Sequence, residues 1–423
     1  MSLEKINQGR NIALVMRNNL DLTANGIGGA ERSTRNLLGF EGANWLVISP
    51  FNLPEDLNHV DSIRTKVITV PDSWHSIPTI RETMRVIEEL VRRRPDHIIF
   101  SHPGLYNSSI FLALPPYLQK KSVAIWRAIV EPHNDPGISS NRLDYWLTRL
   151  NDKLQRKVGN KVRANLAISP AVARSLVRFG ISNNIITIPN QVGGEFSSRL
   201  RESPDSHVRE KYLAPDELGI LVVSRILPNK GLKKWIPDFF RELGCLMENL
   251  PPDSDFNKVK ITVVGEKAPQ FQNYYESLME KVYSAKSEIE NRTLDSIAAC
   301  EFVGHKSKEE LEEYYNAYDI LLHPSPSEGL SRVSIEAISA GMCIVGNSGC
   351  ESTFDTIMEP DQQGIKIGLA VESPEKAAAA VFGLMVSRQN LSALQKNALD
   401  WSKNFNLEKA EISLFSALES LDY

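Results

Sequence analysis

Cysteine is scarce in this chain, with four among 423 residues (Cys245, Cys300, Cys343 and Cys350) and no C-x-x-C pair. That scarcity argues against a disulfide framework and a thiolate zinc site, and it suits a reducing, cytoplasmic compartment. Long apolar runs are missing too. None approaches the roughly 20 residues that span a bilayer, and IALVM at 12–16 is too short for a secretory core and reads as a first strand. There is no Walker lysine motif, nucleophile elbow, Ser-His-Asp order or H-E-x-x-H pair, which sets aside P-loop, hydrolase and zincin chemistry. A hydrophobic fraction of 42% and a charged fraction of 24% exclude a disordered or fibrous chain.

What is present is an alternation. Short apolar runs such as NIALVMR (11–17), NWLVIS (44–49), HIIFS (97–101) and SVAIW (122–126) alternate with helix-length amphipathic segments. That rhythm predicts parallel α/β architecture, and the length predicts two domains. The polar stretch 197–218 breaks the rhythm and reads as a linker. Strands are then expected near 219–224, 259–264, 299–303, 318–322 and 343–346, with three helices over 373–421. Net charge divides unevenly. Residues 1–200 carry 25 Lys and Arg against 17 Asp and Glu, whereas the remainder carries 23 against 35. A basic half either meets an anionic partner or reflects compositional drift, and charge alone leaves both readings open.

Three stretches carry residues suited to chemistry. In SPSEGLSRVSIEAISAGMCIVG (325–346) a strand runs into a loop holding Glu328, and Ser331 caps a helix that contains Glu336 and ends at Gly341. Carboxylates accept two hydroxyl bonds at once, and amides 332–334 at the helix start suit a phosphate. The spacing fits equally a dipole-compensating Glu328 with a solvent-facing Glu336. In VVSRILPNKGLKKW (222–235), Arg225 and Lys230 follow a strand and precede a helix, as a diphosphate clamp or as solvated cations. In GIGGAERSTRNLLGF (26–40), Gly28 and Gly29 permit close backbone approach to an anion, but the third glycine of a dinucleotide fingerprint is replaced by Glu31. His102 and His133 sit in loops after strands, as cleft residues or as local hydrogen-bonding groups. In the helix predicted over 141–158, Leu143, Leu147, Leu150 and Leu154 form a stripe beside Trp146, Arg142, Arg149, Lys153 and Arg156. That helix either lies on anionic lipid or packs its leucines on the sheet, and the second reading is the simpler.

Together these stretches, with AISPAVARSLVRFG…ITIPNQV (167–192), VVGE (263–266) and FVGHKSKEELEEYYNAYDILLHPSPSEG (302–329), resemble the family 4 (group 1) retaining glycosyltransferases. The resemblance spans most of the chain and is strongest over 218–358. It implies a GT-B fold: two Rossmann-like domains with mostly parallel sheets facing across a cleft. Residues 1–200 would be the acceptor domain and 201–404 the donor domain, with a last helix (405–423, carrying Leu414, Leu418 and Leu421) packing back on the first.

By the same resemblance, Arg225 and Lys230 hold the diphosphate of a nucleotide-sugar donor, Glu328 meets the transferred sugar and Glu336 the ribose. Gly265, Leu330, Ser331, Arg332 and Val333 approach the donor, and Gly28 and Gly29 close over it. Trp126 or Arg127 stands where the family often has histidine, and alignment does not give His133 that role; His102 and His133, read from their loops, join Arg127 as the candidate acceptor-side residues. The Gly-Phe-Gly common after the first glutamate is here Gly329-Leu330-Ser331. The expected activity is metal-independent, cofactor-free transfer to a glycan or lipid-linked acceptor, at the inner face of the plasma membrane and with no nucleic-acid partner. A nucleotide-sugar epimerase and a catalytically silent nucleotide-sugar-binding protein are the alternatives.

Overall fold

A computed structural model describes residues 9–16, 29–49, 65–69, 77–130, 142–188, 206–290, 298–354 and 366–422. The chain divides into two compact units, Met1–Gln191 with Leu407–Tyr423, and Val192–Asn406.

In the first unit the strands are β1 (Arg10–Val15), β2 (Ala43–Ser49), β3 (Thr65–Thr69), β4 (His97–Phe100), β5 (Ser122–Trp126), β6 (Ala164–Ala167) and β7 (Ile185–Thr187). They form one parallel sheet in the order β3-β2-β1-β4-β5-β6-β7. The central strands are apolar along their whole length (Ile12–Val15, Ile98–Phe100, Val123–Trp126) because helices cover both faces. Those helices are α1 (Gly29–Leu38), α2 (Ile80–Arg93), α3 (Leu105–Ala113), α4 (Arg142–Gly159) and α5 (Pro170–Arg178). A capping box of Thr79 with Glu82 starts α2, and Ser169 caps α5. Helix α3 has no counterpart among the sequence-based expectations. It buries Leu105, Tyr106, Asn107, Ser108, Ile110 and Phe111, so it has no polar face to give it a helical period.

In the second unit β8 (Glu217–Val223), β9 (Lys258–Val264), β10 (Ala298–Gly304), β11 (Ile320–His323), β12 (Cys343–Asn347) and β13 (Gly368–Val371) form a parallel sheet in the order β10-β9-β8-β11-β12-β13. The helices are α6 (Leu232–Met247), α7 (Gln272–Glu290), α8 (Lys308–Ala317), α9 (Arg332–Ser339), α10 (Pro374–Val386) and α11 (Arg388–Ser402), and α12 (Leu407–Glu419) follows in the first unit. Ser307 and Glu310 form the capping box expected at the start of α8. Gly341, at φ +75°, ends α9 in the left-handed region that glycine adopts without strain. Part of the stretch expected as linker is ordered: Ser206–Glu210 is a short helix and β8 begins at Glu217. The Arg209 guanidinium donates to Asp319 and to the Glu217 carbonyl, each at 2.8 Å.

Both sheets are doubly wound. The order reverses between β1 and β4 in the first and between β8 and β11 in the second. At such a switch point neighbouring loops leave in opposite directions and open a crevice at the carboxyl ends of the strands.

Helix α12 ties the end of the chain to the first sheet. Leu414, Leu418 and Leu421 are buried, and Glu411 accepts from the Gly42 amide at 2.9 Å. Arg10 donates to Asp422 at 2.8 Å and pairs with Glu419, while buried His97 lies 3.4 Å from Asp422. Leu418→Ala leaves a cavity in a fully buried position and is expected to cost about 2–5 kcal/mol. Urea unfolding measures that loss, and an unchanged midpoint would show that α12 is not part of the core.

Candidate functional site

The switch point of the second sheet gathers the residues that the sequence singled out. Strand β8 delivers Arg225 and Lys230, and neighbouring β11 delivers the loop with Glu328. Two glycines bring these backbones together. A Cβ on Gly265 would lie 1.8 Å from the Ser224 carbonyl oxygen, and one on Gly231, at φ +75°, 2.5 Å from that of Pro324. Only glycine permits either approach. Gly265 thus supports the backbone that carries Arg225, and Gly231 joins the start of α6 to the loop after β11.

Lys230 and Glu328 meet directly, Nζ to Oε1 at 2.5 Å. Ser325 Oγ donates to the same oxygen at 3.0 Å. The pair is partly buried, which makes mutual neutralisation valuable. Burial by itself raises the Glu328 pKa, but Lys230, His323 and the Ser325 hydroxyl outweigh it, and the carboxyl is held below its ordinary value. Arg225 is exposed, and its guanidinium has no ion pair among the described residues.

Glu336, in α9, is 2% exposed, which overturns the solvent-facing reading. Tyr315 Oη, from α8, donates to one carboxylate oxygen at 3.0 Å, and Arg332, one turn earlier in α9, approaches the other at 3.4 Å. The two glutamates therefore have separate partners. Ser331 caps α9 as expected, its Oγ accepting from the Ser334 amide at 3.2 Å. That amide is engaged within the cap, so the expectation that it faces an anion is withdrawn for Ser334. Leu330 and Ser331 are buried and Val333 half-buried at this helix start.

Sequence reasoning missed Tyr315 and His323. His323 closes the buried strand β11 behind the Lys230–Glu328 pair, its Nε2 4.0 Å from Cys350 Sγ. The apolar run ILLHP gave the only hint of it.

In the first unit His102 follows β4 and packs edge-on against Trp126, with ring centroids 5.8 Å apart. Arg127 follows β5 and donates to the Ser101 carbonyl at 2.9 Å. Those two residues are neighbours at the carboxyl edge of the first sheet. Trp126 is excluded as a polar acceptor-side residue, since it is fully buried and its Nε1 donates to Asn165 at 2.9 Å. The Gly29 backbone begins α1, whereas Gly28 and His133 lie outside the described residues. Among the described residues no group of three or more His, Cys, Asp or Glu side chains is arranged to hold a metal ion.

Burial lowers the His323 pKa from 6.5 to about 4; nearby Glu328 opposes the shift and Lys230 adds to it. Between these values the unfolded chain takes up a proton that the folded chain refuses, so stability falls as pH drops from about 6.5 toward about 4. Glu328, with its lowered pKa, acts in the same direction at the acid end. Urea titrations across this window are expected to show the loss in the wild type and a shallower one in His323→Gln. Parallel pH profiles would contradict the buried neutral imidazole.

Two family models match the chain, "Glycosyltransferase Family 4" over residues 27–193 and "Glycosyl transferases group 1" over residues 205–401. Similar proteins include the sulfoquinovosyl transferase SQD2 of Arabidopsis thaliana, 25% identical over 66% of this chain and 48% of that protein. The GPI3 subunit of phosphatidylinositol N-acetylglucosaminyltransferase from Saccharomyces cerevisiae is also 25% identical, over 82% of this chain and 68% of its own length. The chain thus spans about half the length of the first relative and two thirds of the second. Among solved structures, HepE of Anabaena in complex with UDP superposes with a TM-score of 0.70 at 17% identity, covering 97% of this chain and all of that one. With a doubly wound sheet in each unit and the two models matching one unit each, the chain belongs to the group 1, family 4 glycosyltransferases, with the GT-B architecture.

Proposed function

We propose that the protein transfers a sugar from a nucleotide-sugar donor to a glycan or lipid-linked acceptor, with retention of anomeric configuration and without a metal ion. One observation carries this reading. At the switch point of the second sheet, Lys230 and Glu328 form a charged pair beside exposed Arg225 and the capped start of α9. A nucleoside diphosphate competes with Glu328 for Lys230. Once displaced, the carboxylate is placed to accept hydroxyls of the sugar.

In the proposed reaction the bond from the anomeric carbon to the diphosphate breaks as the bond to the acceptor oxygen forms on the same face. The acceptor's proton passes to the departing phosphate oxygen, so no protein base is needed. Arg225 and Lys230 stabilise the charge that builds on the diphosphate, an interaction strongest in the transition state. Glu336 exchanges one of its present partners, Tyr315 or Arg332, for the ribose hydroxyls. Amides at the start of α9, together with Leu330 and Val333, line the path of the phosphates.

The relatives support the substrate classes. HepE has been solved with UDP and with UDP-glucose, which favours a uridine nucleotide sugar. The yeast relative is named for phosphatidylinositol, which favours a lipid-linked acceptor in glycolipid or polysaccharide assembly. No helix among the described residues is long and apolar enough to cross a membrane.

Screening nucleotide sugars by thermal shift, then following donor turnover with and without acceptor, tests the proposal. Arg225→Ala and Lys230→Ala are each expected to lower kcat by about 100- to 1,000-fold, roughly the effect of removing an oxyanion donor. EDTA is expected to leave the initial rate unchanged, and NMR of the product to show the donor's anomeric configuration. Near-normal turnover in both variants removes the clamp. Donor conversion without any acceptor identifies an epimerase, and donor binding without turnover identifies a silent binding protein.

A further inference from the structure

Helix α4 faces the wrong way for a core helix. Its leucine stripe was expected to pack on the sheet, but the buried side carries Asp152, Gln155 and Val158. Leu147 and Leu154 are only half-buried, Leu150 is 40% exposed and Trp146 is 71% exposed. Helix α2 shows a similar row. It buries Val86 and Leu90, yet Ile80 is 85% and Met84 59% exposed, with Val91 also facing outward. Exposed cations adjoin both rows: Arg81 and Arg85 on α2, and Arg149, Lys153, Arg156 and Lys157 on α4. Further along α2, Glu89 is taken up by Arg92 and Arg93, and exposed Glu88 is the one carboxylate on the row, against the two arginines that precede it.

The topology places these rows on one surface. From β3 to β4, and onward to β5 and β6, the chain advances in one direction across the sheet, so right-handed crossovers put α2, α3 and α4 on the same face. Helix α3 packs against both α2 and α4. With helices spaced about 8–10 Å apart, the two rows lie on the order of 20 Å from each other. Both α2 and α4 run back from the carboxyl edge of the sheet. Ile80 and Met84 in the first two turns of α2 and Trp146 in the second turn of α4 therefore lie toward that edge, with Leu150 at the middle of α4.

We propose that the outward faces of α2 and α4 form a docking surface for an anionic lipid bilayer. Aliphatic side chains and an indole at the water boundary, with cations alongside, match an acyl layer beneath negative headgroups. A second copy of the chain docked through the same face would set these cations against one another, whereas anionic lipid neutralises them. The inference deepens the reading of a lipid-linked acceptor, but its test reads vesicle binding rather than transfer, so either can fail alone.

The test is co-sedimentation of the full chain with vesicles of phosphatidylcholine alone or of equal parts phosphatidylcholine and phosphatidylglycerol, at low and high salt. The wild type is expected to pellet with the anionic vesicles, not with the neutral ones, and to be released by salt. Ile80→Ser, Met84→Ser, Trp146→Ser and Leu150→Ser combined are expected to weaken that binding by about tenfold or more. Arg81→Glu, Arg85→Glu and Lys153→Glu combined are expected to weaken it comparably and to flatten its salt dependence. These side chains are exposed, so thermal unfolding and UDP binding should stay at wild-type values in both variants. The proposal is overturned if the wild type ignores anionic vesicles, or if both variants pellet as it does. A wild-type dimer that the serine variant converts to monomer would identify a second copy as the occupant, and overturns it equally.

Discussion

The contact between Lys230 and Glu328 is the constraint around which the second unit is arranged. Two opposite charges held in a partly buried crevice stay there only while each neutralises the other. Holding them together requires β8 and β11 to be neighbours, Gly231 to let the α6 start touch the Pro324 carbonyl, and Gly265 to let β9 reach Ser224. Ser325 and the buried, neutral His323 complete the surroundings of the carboxylate. The same arrangement explains how a charged ligand could be selected. In the proposed function a diphosphate would replace one anion at Lys230 with another, and the displaced Glu328 would become available to hydroxyl groups, which a carboxylate can bind as a double acceptor.

Much of this was legible in the sequence, because buried parallel strands and capped helices leave local marks. β11, the Ser331 cap, α9 and Gly341 fall within a residue or two of their expected places, as do the Ser307–Glu310 capping box and α8. Elements without a local mark were lost. Helix α3 is largely buried and has no period, and β13, a sheet-edge strand that opens on Gly368 and is half-buried along the rest of its length, shows neither alternation nor a buried apolar run. The candidate site was legible in its charged residues but not in their pairing. Tyr315 and His323 are joined to it by tertiary contacts that spacing does not encode. Helix α4 shows the limit most plainly. An amphipathic stripe gives the period of a helix but not which side turns inward, and here Asp152 and Gln155 are buried while Trp146 is exposed.

The two units carry different kinds of surface. In the second, Lys230, Glu328 and Glu336 are drawn in around a switch point and paired, while Arg225 stays exposed. In the first, the corresponding edge carries His102 and Arg127, and the helices behind it present apolar and basic side chains outward. The uneven charge of the sequence gains a physical meaning from this: the proposed acceptor and membrane functions fall on the basic half, and the donor function on the acidic half, where a few cations are held in place by named partners.

Calorimetric titration of UDP into the wild type, Glu328→Gln, Lys230→Met and the double variant addresses the central pair most directly. If the carboxylate and the diphosphate compete for one ammonium group, Glu328→Gln binds UDP about tenfold more tightly than the wild type, and the gain disappears when Lys230 is already Met. Unchanged or weaker binding in Glu328→Gln, or an equal gain in both backgrounds, would contradict the account.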